Sequence, residues 1–180
     1  MQEPYEKGNG ERATAQPVLI VVCGLPGSGK TTHAKQLERD RNAIRFCPDE
    51  WFATLALDLY DEPRRAAIEA LQWQLAQKLL RHCVSVIIEW GTWGRDERDT
   101  LRLGARENGA SVELHYLCEP EDILFERVHN RGAETPPITR EQIAEWMRVF
   151  QEPTPEELAL FDRFFCLGSA STPSAGNPRG

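Results

Sequence analysis

The sequence predicts a three-layer α/β domain, in which a parallel sheet is covered by helices on both faces. Three observations carry that expectation. Apolar runs at 18–23 and 84–89, with a further strand at 112–117, alternate with longer stretches of helical spacing. A glycine-rich turn joins the first apolar run to the first helix. The chain has 180 residues, 41% hydrophobic and 27% charged, which suits one globular domain and leaves little room for a second.

The elements follow in order. Residues 18–23 form an apolar run without alternation, as in a strand buried on both faces. A helix is expected from the glycine turn to about residue 40. A short second strand spans 43–47 and is broken by Pro48. Helices are expected at 50–59 and 64–82, the latter with Ile68, Leu71, Leu75 and Leu79 on one stripe. The third strand, 84–89, leads to a helix at 95–108 that Gly109 stops. The fourth strand, 112–117, precedes a helix opened by Pro120 and running to about residue 130. An irregular connector, RGAETPPI at 131–138, comes next. Thr139 with Gln142, and Thr154 with Glu157, have capping-box spacing and open two further helices. A fifth strand is expected at 163–167. The domain therefore spans 17–167, between a flexible tail at 1–16 and a small, polar, disordered tail at 168–180.

Composition narrows the function classes. A net charge of −7 gives no general attraction to long nucleic acid or an anionic membrane. No apolar run approaches the roughly 18 residues of a membrane span, and residues 1–16 lack the apolar core of a signal peptide. The five cysteines form no C-x-x-C pair. An odd number without framework spacing points to a reducing, cytoplasmic compartment.

The segment Gly24-Leu25-Pro26-Gly27-Ser28-Gly29-Lys30-Thr31 fits G-x-x-x-x-G-K-[ST] without a mismatch. Glycines let the backbone fold tightly and turn its N–H groups toward an anion, and the helix that follows adds its positive end. Lys30 reaches the β- and γ-phosphates of a nucleotide, the Thr31 hydroxyl suits Mg²⁺, and Thr32 can donate to the α-phosphate. The alternative, a glycine turn without a ligand, lacks a reason to sit between a strand and a helix.

Further candidates lie at the carboxyl ends of the strands, where open parallel sheets gather their ligands. Asp49 follows the second strand and suits either a helix cap or a carboxylate that accepts a proton from an attacking hydroxyl. Glu89 ends the third strand, where a carboxylate can face Mg²⁺ or its waters; the alternative is a solvent-facing strand end. Arg95, Arg98, Arg102 and Arg106 share a helical stripe. Arg102 and Arg106 read as a solvated face. Arg95 and Arg98 sit in a first turn, where the helix dipole disfavours cations, so one of them is expected to reach substrate. Trp51, Trp90 and Trp93 flank the same region and suit either core packing or an acceptor pocket. Arg127 and Arg131 are four apart on one helix face and lead into the connector, as lid arginines would. Their alternative is surface pairing with Glu126 or Glu134.

With these positions the chain resembles the small P-loop kinases, in particular the ATP-binding group that includes chloramphenicol phosphotransferase, the zeta toxins and the kinase domain of polynucleotide kinase. The likeness is carried by 24–32, by 87–98 and by LCEPEDILFERVHNR at 117–131. The resemblance implies a five-stranded sheet of order 2-3-1-4-5 with a short lid. It implies ATP with Mg²⁺ as donor, Asp49 as general base, and Arg127 and Arg131 as lid arginines, Arg127 also near the adenine. Glu89 departs from the Asp common at its position. The expected activity is transfer of the γ-phosphoryl group to a hydroxyl of a small molecule. Two alternatives stay open: a 5′-polynucleotide or nucleoside kinase, and a nucleotide-binding module with slow or no hydrolysis.

Overall fold

The computed structural model describes residues 16–132, 137–169 and 174–176. In chain order the elements are β1 (Val18–Gly24), α1 (Lys30–Arg41), β2 (Ile44–Phe46), α2 (Pro48–Thr54), α3 (Glu62–Arg81) and β3 (Val86–Ile88). They continue with α4 (Arg95–Glu107), β4 (Ser111–Leu117), α5 (Glu121–Arg131), α6 (Arg140–Val149), α7 (Pro155–Leu158), β5 (Arg163–Leu167) and β6 (Ser174–Gly176). The tail at 1–15 and positions 133–136 of the connector lie outside the described residues.

Five strands are parallel, in the order β2-β3-β1-β4-β5, as the resemblance implies. A sixth, β6, pairs antiparallel with β5. This corrects the expectation of disorder throughout 168–180. The free edge of β5 offers an unpaired row of N–H and C=O groups, and the short stretch at 174–176 fills part of it.

The central strand explains the layering. Leu19 to Cys23 are wholly buried. Leu19, Val21 and Cys23 pack toward Ala76 and Leu80 of α3 and Leu101 and Ala105 of α4. Ile20 and Val22 pack on the other face, with Ala34 and Leu37 of α1. Each such buried side chain contributes about 1.5–3 kcal/mol relative to exposure. Two apolar faces on one strand therefore require helices above and below the sheet. On the α1 face, His33 and His115 share a ring-nitrogen hydrogen bond of 2.8 Å. His115 also stacks on Phe165, which fixes the helix against β4 and β5.

Two helices differ from expectation. The first, expected at 50–59, is the single two-turn α2, with Pro48 at its first position and Asp49 next, so Asp49 does not cap it. In α3 the inward face is Gln72, Ala76 and Leu80, while Leu71 of the expected stripe is 47% exposed. The phase has a polar cause. Trp90 lies beyond β3 and its indole N–H needs an acceptor, which the buried Gln72 supplies through Oε1 at 2.9 Å. The α6 cap forms as expected: Gln142 N–H donates to Thr139 Oγ1, and Thr139 N–H to Gln142 Oε1. Thr154 likewise caps α7.

Candidate nucleotide and acceptor site

The glycine turn between β1 and α1 folds into a tight loop. Gly24, Gly27 and Gly29 all have positive φ. At Gly24 a Cβ would lie 2.4 Å from the Leu117 carbonyl oxygen, and at Gly27 one would lie 2.8 Å from that of Leu124. Only glycine fits either position without moving backbone. Helix α1 opens on Gly29 with no side-chain cap among the described residues and no acid in its first turn. Its positive end is left to face the cleft, a ready site for an anion.

The loop forms one wall of a cavity of about 1630 Å³ lying over the carboxyl ends of β1, β2 and β3. Pro26, Gly27, Gly29, Lys30, Thr31 and Thr32 line it, whereas Gly24 and Ser28 stand behind the loop. Lys30 Nζ donates to the Leu25 carbonyl at 3.0 Å. Burial lowers the Lys30 pKa to about 8, against the pull of Glu89, Cys23 and Asp49. Thr31 Oγ1 donates to Glu89 Oε1 in a short hydrogen bond. Arg45 Nη1 donates to the other Glu89 oxygen at 2.7 Å. Glu89 is only 6% exposed.

This arrangement fits Mg²⁺. With its proton given to Glu89, the Thr31 hydroxyl keeps lone pairs for a cation. Among the described residues no group of three or more His, Cys, Asp or Glu could hold a metal ion. A cation here would thus lean on the phosphates of a nucleotide and on water, as Mg²⁺ characteristically does.

Arg127 and Arg131 reach the same cleft from α5. Arg127 Nη1 donates to Glu119 at 3.2 Å and to the Gly27 carbonyl at 3.4 Å. Beyond the connector, Ile138, Gln142 and Trp146 line the cleft from α6 and the approach to it.

Opposite the loop, Asp49 lines the cleft from the first turn of α2. Its side chain is 66% exposed. Arg65 Nη2 donates to Asp49 Oδ1 at 2.9 Å, and Oδ2 has no partner among the described residues. Of the expected aromatic residues, Trp93 and Trp90 line the cleft. Trp93 is braced edge-on by Trp146 at 6.1 Å and Phe150 at 6.4 Å.

Three expected substrate residues do not reach the cleft. Trp51 packs against the main core and is not among the residues that line the cleft. Arg95 is exposed, and its charged partner is Asp99 of the same helix at 3.5 Å. Arg98 is wholly buried. It makes a bidentate pair with Glu157 at 2.6 and 2.9 Å and donates to the carbonyls of Thr92, Trp93 and Gln151. Burial works against its charge, but Glu157 more than restores it and raises its pKa. Arg102 and Arg106 are not a solvated face either. Arg102 is 8% exposed and pairs with Asp99, and Arg106 donates to the Leu160 carbonyl.

Residues the sequence did not single out complete the cleft: Arg65, Glu69 and Trp73 of α3, with Thr92 after β3. Glu69 and Trp73 lie four apart, and so share a helix face with Arg65. That spacing was the available signal.

A phosphate loop at the carboxyl end of the central strand of a 2-3-1-4-5 parallel sheet defines a P-loop nucleotide-binding domain. The AAA domain model (AAA_33) matches residues 19–153, and the chain belongs to that family. No curated protein sequence matches it. Solved structures share the fold at low identity. A provisionally assigned kinase from Chloroflexus aurantiacus J-10-fl is 22% identical with a TM-score of 0.63, covering 86% of this chain and 89% of that one. A gluconokinase from Sinorhizobium meliloti 1021 is 19% identical with a TM-score of 0.57, covering 87% and 85%. Kti12 of Chaetomium thermophilum, in complex with ADP-AlF3, is 22% identical with a TM-score of 0.62, covering 84% and 89%.

Proposed function

We propose that the protein is an ATP- and Mg²⁺-dependent phosphotransferase acting on a hydroxyl group of a small molecule. One observation carries this reading. Asp49, with one oxygen tethered by Arg65 and the other open, lines the same cleft as Lys30 and Thr31. A nucleotide holder needs the loop but has no use for a positioned carboxylate across from it.

ATP with Mg²⁺ supplies the transferable γ-phosphoryl group and neutralises part of its charge. Lys30 and the loop amides hold the phosphate tail. Thr31 offers its hydroxyl to the metal, and Glu89 keeps that hydroxyl oriented. Asp49 orients the acceptor hydroxyl for in-line attack and accepts its proton. Arg127 and Arg131 counter charge on the transferring group and, with α6, help exclude water. The five free cysteines fit a reducing cytoplasmic compartment.

The test is a transfer screen with γ-labelled ATP against hydroxyl-bearing amines, sugars, nucleosides and 5′-hydroxyl oligonucleotides. Label should move to a small alcohol. Label on oligonucleotide ends, with activity falling steeply as salt rises, would make the protein a polynucleotide kinase instead. ADP formed at the same slow rate with every acceptor would make it a nucleotide-binding module.

Lys30 adds a pH dependence. Bound phosphate needs the lysine charged, whereas in the free protein its pKa is about 8. Below that pH no proton need be gained on binding; above it one must be taken up. ATP affinity should be flat from pH 6.5 to 7.5 and then weaken, approaching about tenfold per pH unit above 8. Calorimetric titrations at pH 7, 8 and 9 check this, and an equal affinity at all three would mean that Lys30 is already fully charged in the free protein or does not touch the phosphate.

A further inference from the structure

The two ends of the cleft carry opposite charge. At the loop end stand Lys30, Arg127 and Arg131, with Glu89 already paired to Arg45. At the far end the lining carries four carboxylates, Asp49, Glu62, Glu69 and Glu97, and a single cation, Arg65. That guanidinium is engaged: it donates to Asp49 at 2.9 Å and to the Leu59 carbonyl at 3.3 Å, and lies 5.1 Å over the Phe52 ring. Its approach to Glu69 is a loose 3.8 Å. Burial holds the Glu69 carboxyl above its usual range, opposed by Arg65 and reinforced by Glu97, Asp49 and Glu62.

The walls between these carboxylates are indoles. Trp73, Trp90 and Trp93 all line the cleft. Trp90 is locked by its bond to Gln72, and Gly104 lets α4 approach Trp73 so closely that a Cβ there would lie 2.8 Å from the ring. Rigid aromatic faces beside carboxylates suit a cation, which the rings attract through their negative faces.

A separate observation points to a ligand at this end. Thr92 lines the cleft, is 4% exposed, and its Oγ1 has no hydrogen-bond partner among the described residues. Its backbone is also strained, with φ at +39°, rare for a β-branched residue. A buried hydroxyl without a partner costs about 1–3 kcal/mol. The strain and the unmet hydroxyl both sit where an acceptor would lie, and Arg98 holds the Thr92 carbonyl in place from behind at 3.0 Å.

We propose that this end of the cleft selects a hydroxyl compound bearing a positive charge, an amino alcohol or amino sugar, over neutral or anionic ones. The inference rests on the kinase reading for its hydroxyl, but not for its charge. When a nucleotide fills the loop end, its phosphates cancel the cations there, and the acceptor meets only the acidic end. An anionic acceptor would be placed among four carboxylates with no free cation among the described residues of that end. A protonated amine instead gains Glu69 and an indole face.

The test uses the full chain saturated with Mg²⁺ and the β,γ-imido analogue of ATP, at pH 6.5. D-Glucosamine, D-glucose and D-gluconate form a series of like size and changing charge. Choline and 3,3-dimethylbutan-1-ol form a pair of like shape. Calorimetry should show each cationic member binding about tenfold or more tighter than its neutral counterpart, with gluconate weakest. Glu69→Gln and, on the exposed first turn of α3, Glu62→Gln should each narrow that ratio. Equal or tighter binding of the neutral or anionic members, or no binding of either cation, overturns the proposal. Parallel assays with labelled ATP separate the two readings. Charge-selective binding without transfer would end the kinase reading and leave the charge preference standing. Transfer that favours glucose or gluconate would do the reverse.

Discussion

Arg98→Met is expected to cost about 3–5 kcal/mol of stability, because it leaves the Glu157 carboxylate buried without its partner. Glu157 is wholly buried. The arginine also ties three carbonyls, those of Thr92, Trp93 and Gln151, to helix α4. For a chain of this size such a loss lowers Tm by about 6–20 °C. The companion variant R98M/E157L removes both charges and should recover much of that loss, since well-packed apolar replacements of a buried pair are often neutral. Thermal unfolding monitored by circular dichroism checks both. A single variant melting within about 2 °C of the parent would mean the pair is not closed to water as its burial requires. ATP affinity in the folded fraction should change little, because the phosphate loop lies on the other wall of the cleft. Acceptor affinity should fall, because Thr92 and Trp93 lose their backing.

The same arginine shows where the sequence stopped being informative. Helical spacing correctly put Arg95, Arg98, Arg102 and Arg106 along one helix, and a cation in a first turn correctly signalled something unusual. Periodicity tells which residues share a face but not what faces them. The partner, Glu157, lies 59 positions on and was itself read only as half of a capping box. The phosphate half of the cleft was legible because it is local: a strand, three glycines, a lysine and a threonine within eight residues. Sheet order was legible only through the family resemblance, since apolar runs mark strands without ordering them. The acceptor half comes from α2, α3 and the turn after β3, three segments brought together by packing. Tryptophan spacing along the chain could not separate Trp51, which turns into the core, from Trp73, which faces the cleft. In α3 the stripe caught Leu75 and Leu79, which pack half-buried on the core, but the fully buried face lies one position over, at Gln72, Ala76 and Leu80, and includes the Gln72 that meets Trp90. An apolar pattern cannot anticipate a polar side chain chosen for its partner.

Asp49→Asn is expected to reduce phosphoryl transfer about 10²–10⁴-fold, the range for losing a positioned general base. The substitution is nearly isosteric. Asn can still accept the Arg65 N–H at the position of Oδ1, and it sits in the first turn of α2 without capping it. Stability should therefore stay close to that of the parent. ATP affinity should also hold within about threefold, because Asp49 meets Lys30 only through space. What Asn cannot do is take a proton through its free edge, which carries an amide in place of the open oxygen. Rapid-quench measurement of label transfer, alongside calorimetric ATP binding, separates these quantities. A loss in transfer with intact binding gives Asp49 a role in the chemical step. A variant that transfers at the parent's rate would leave Asp49 as a partner for Arg65 only. The open oxygen would then have no chemical use, and the cleft would have to find its base among Glu62, Glu69 and Glu97. Those carboxylates lie on α3 and in the first turn of α4.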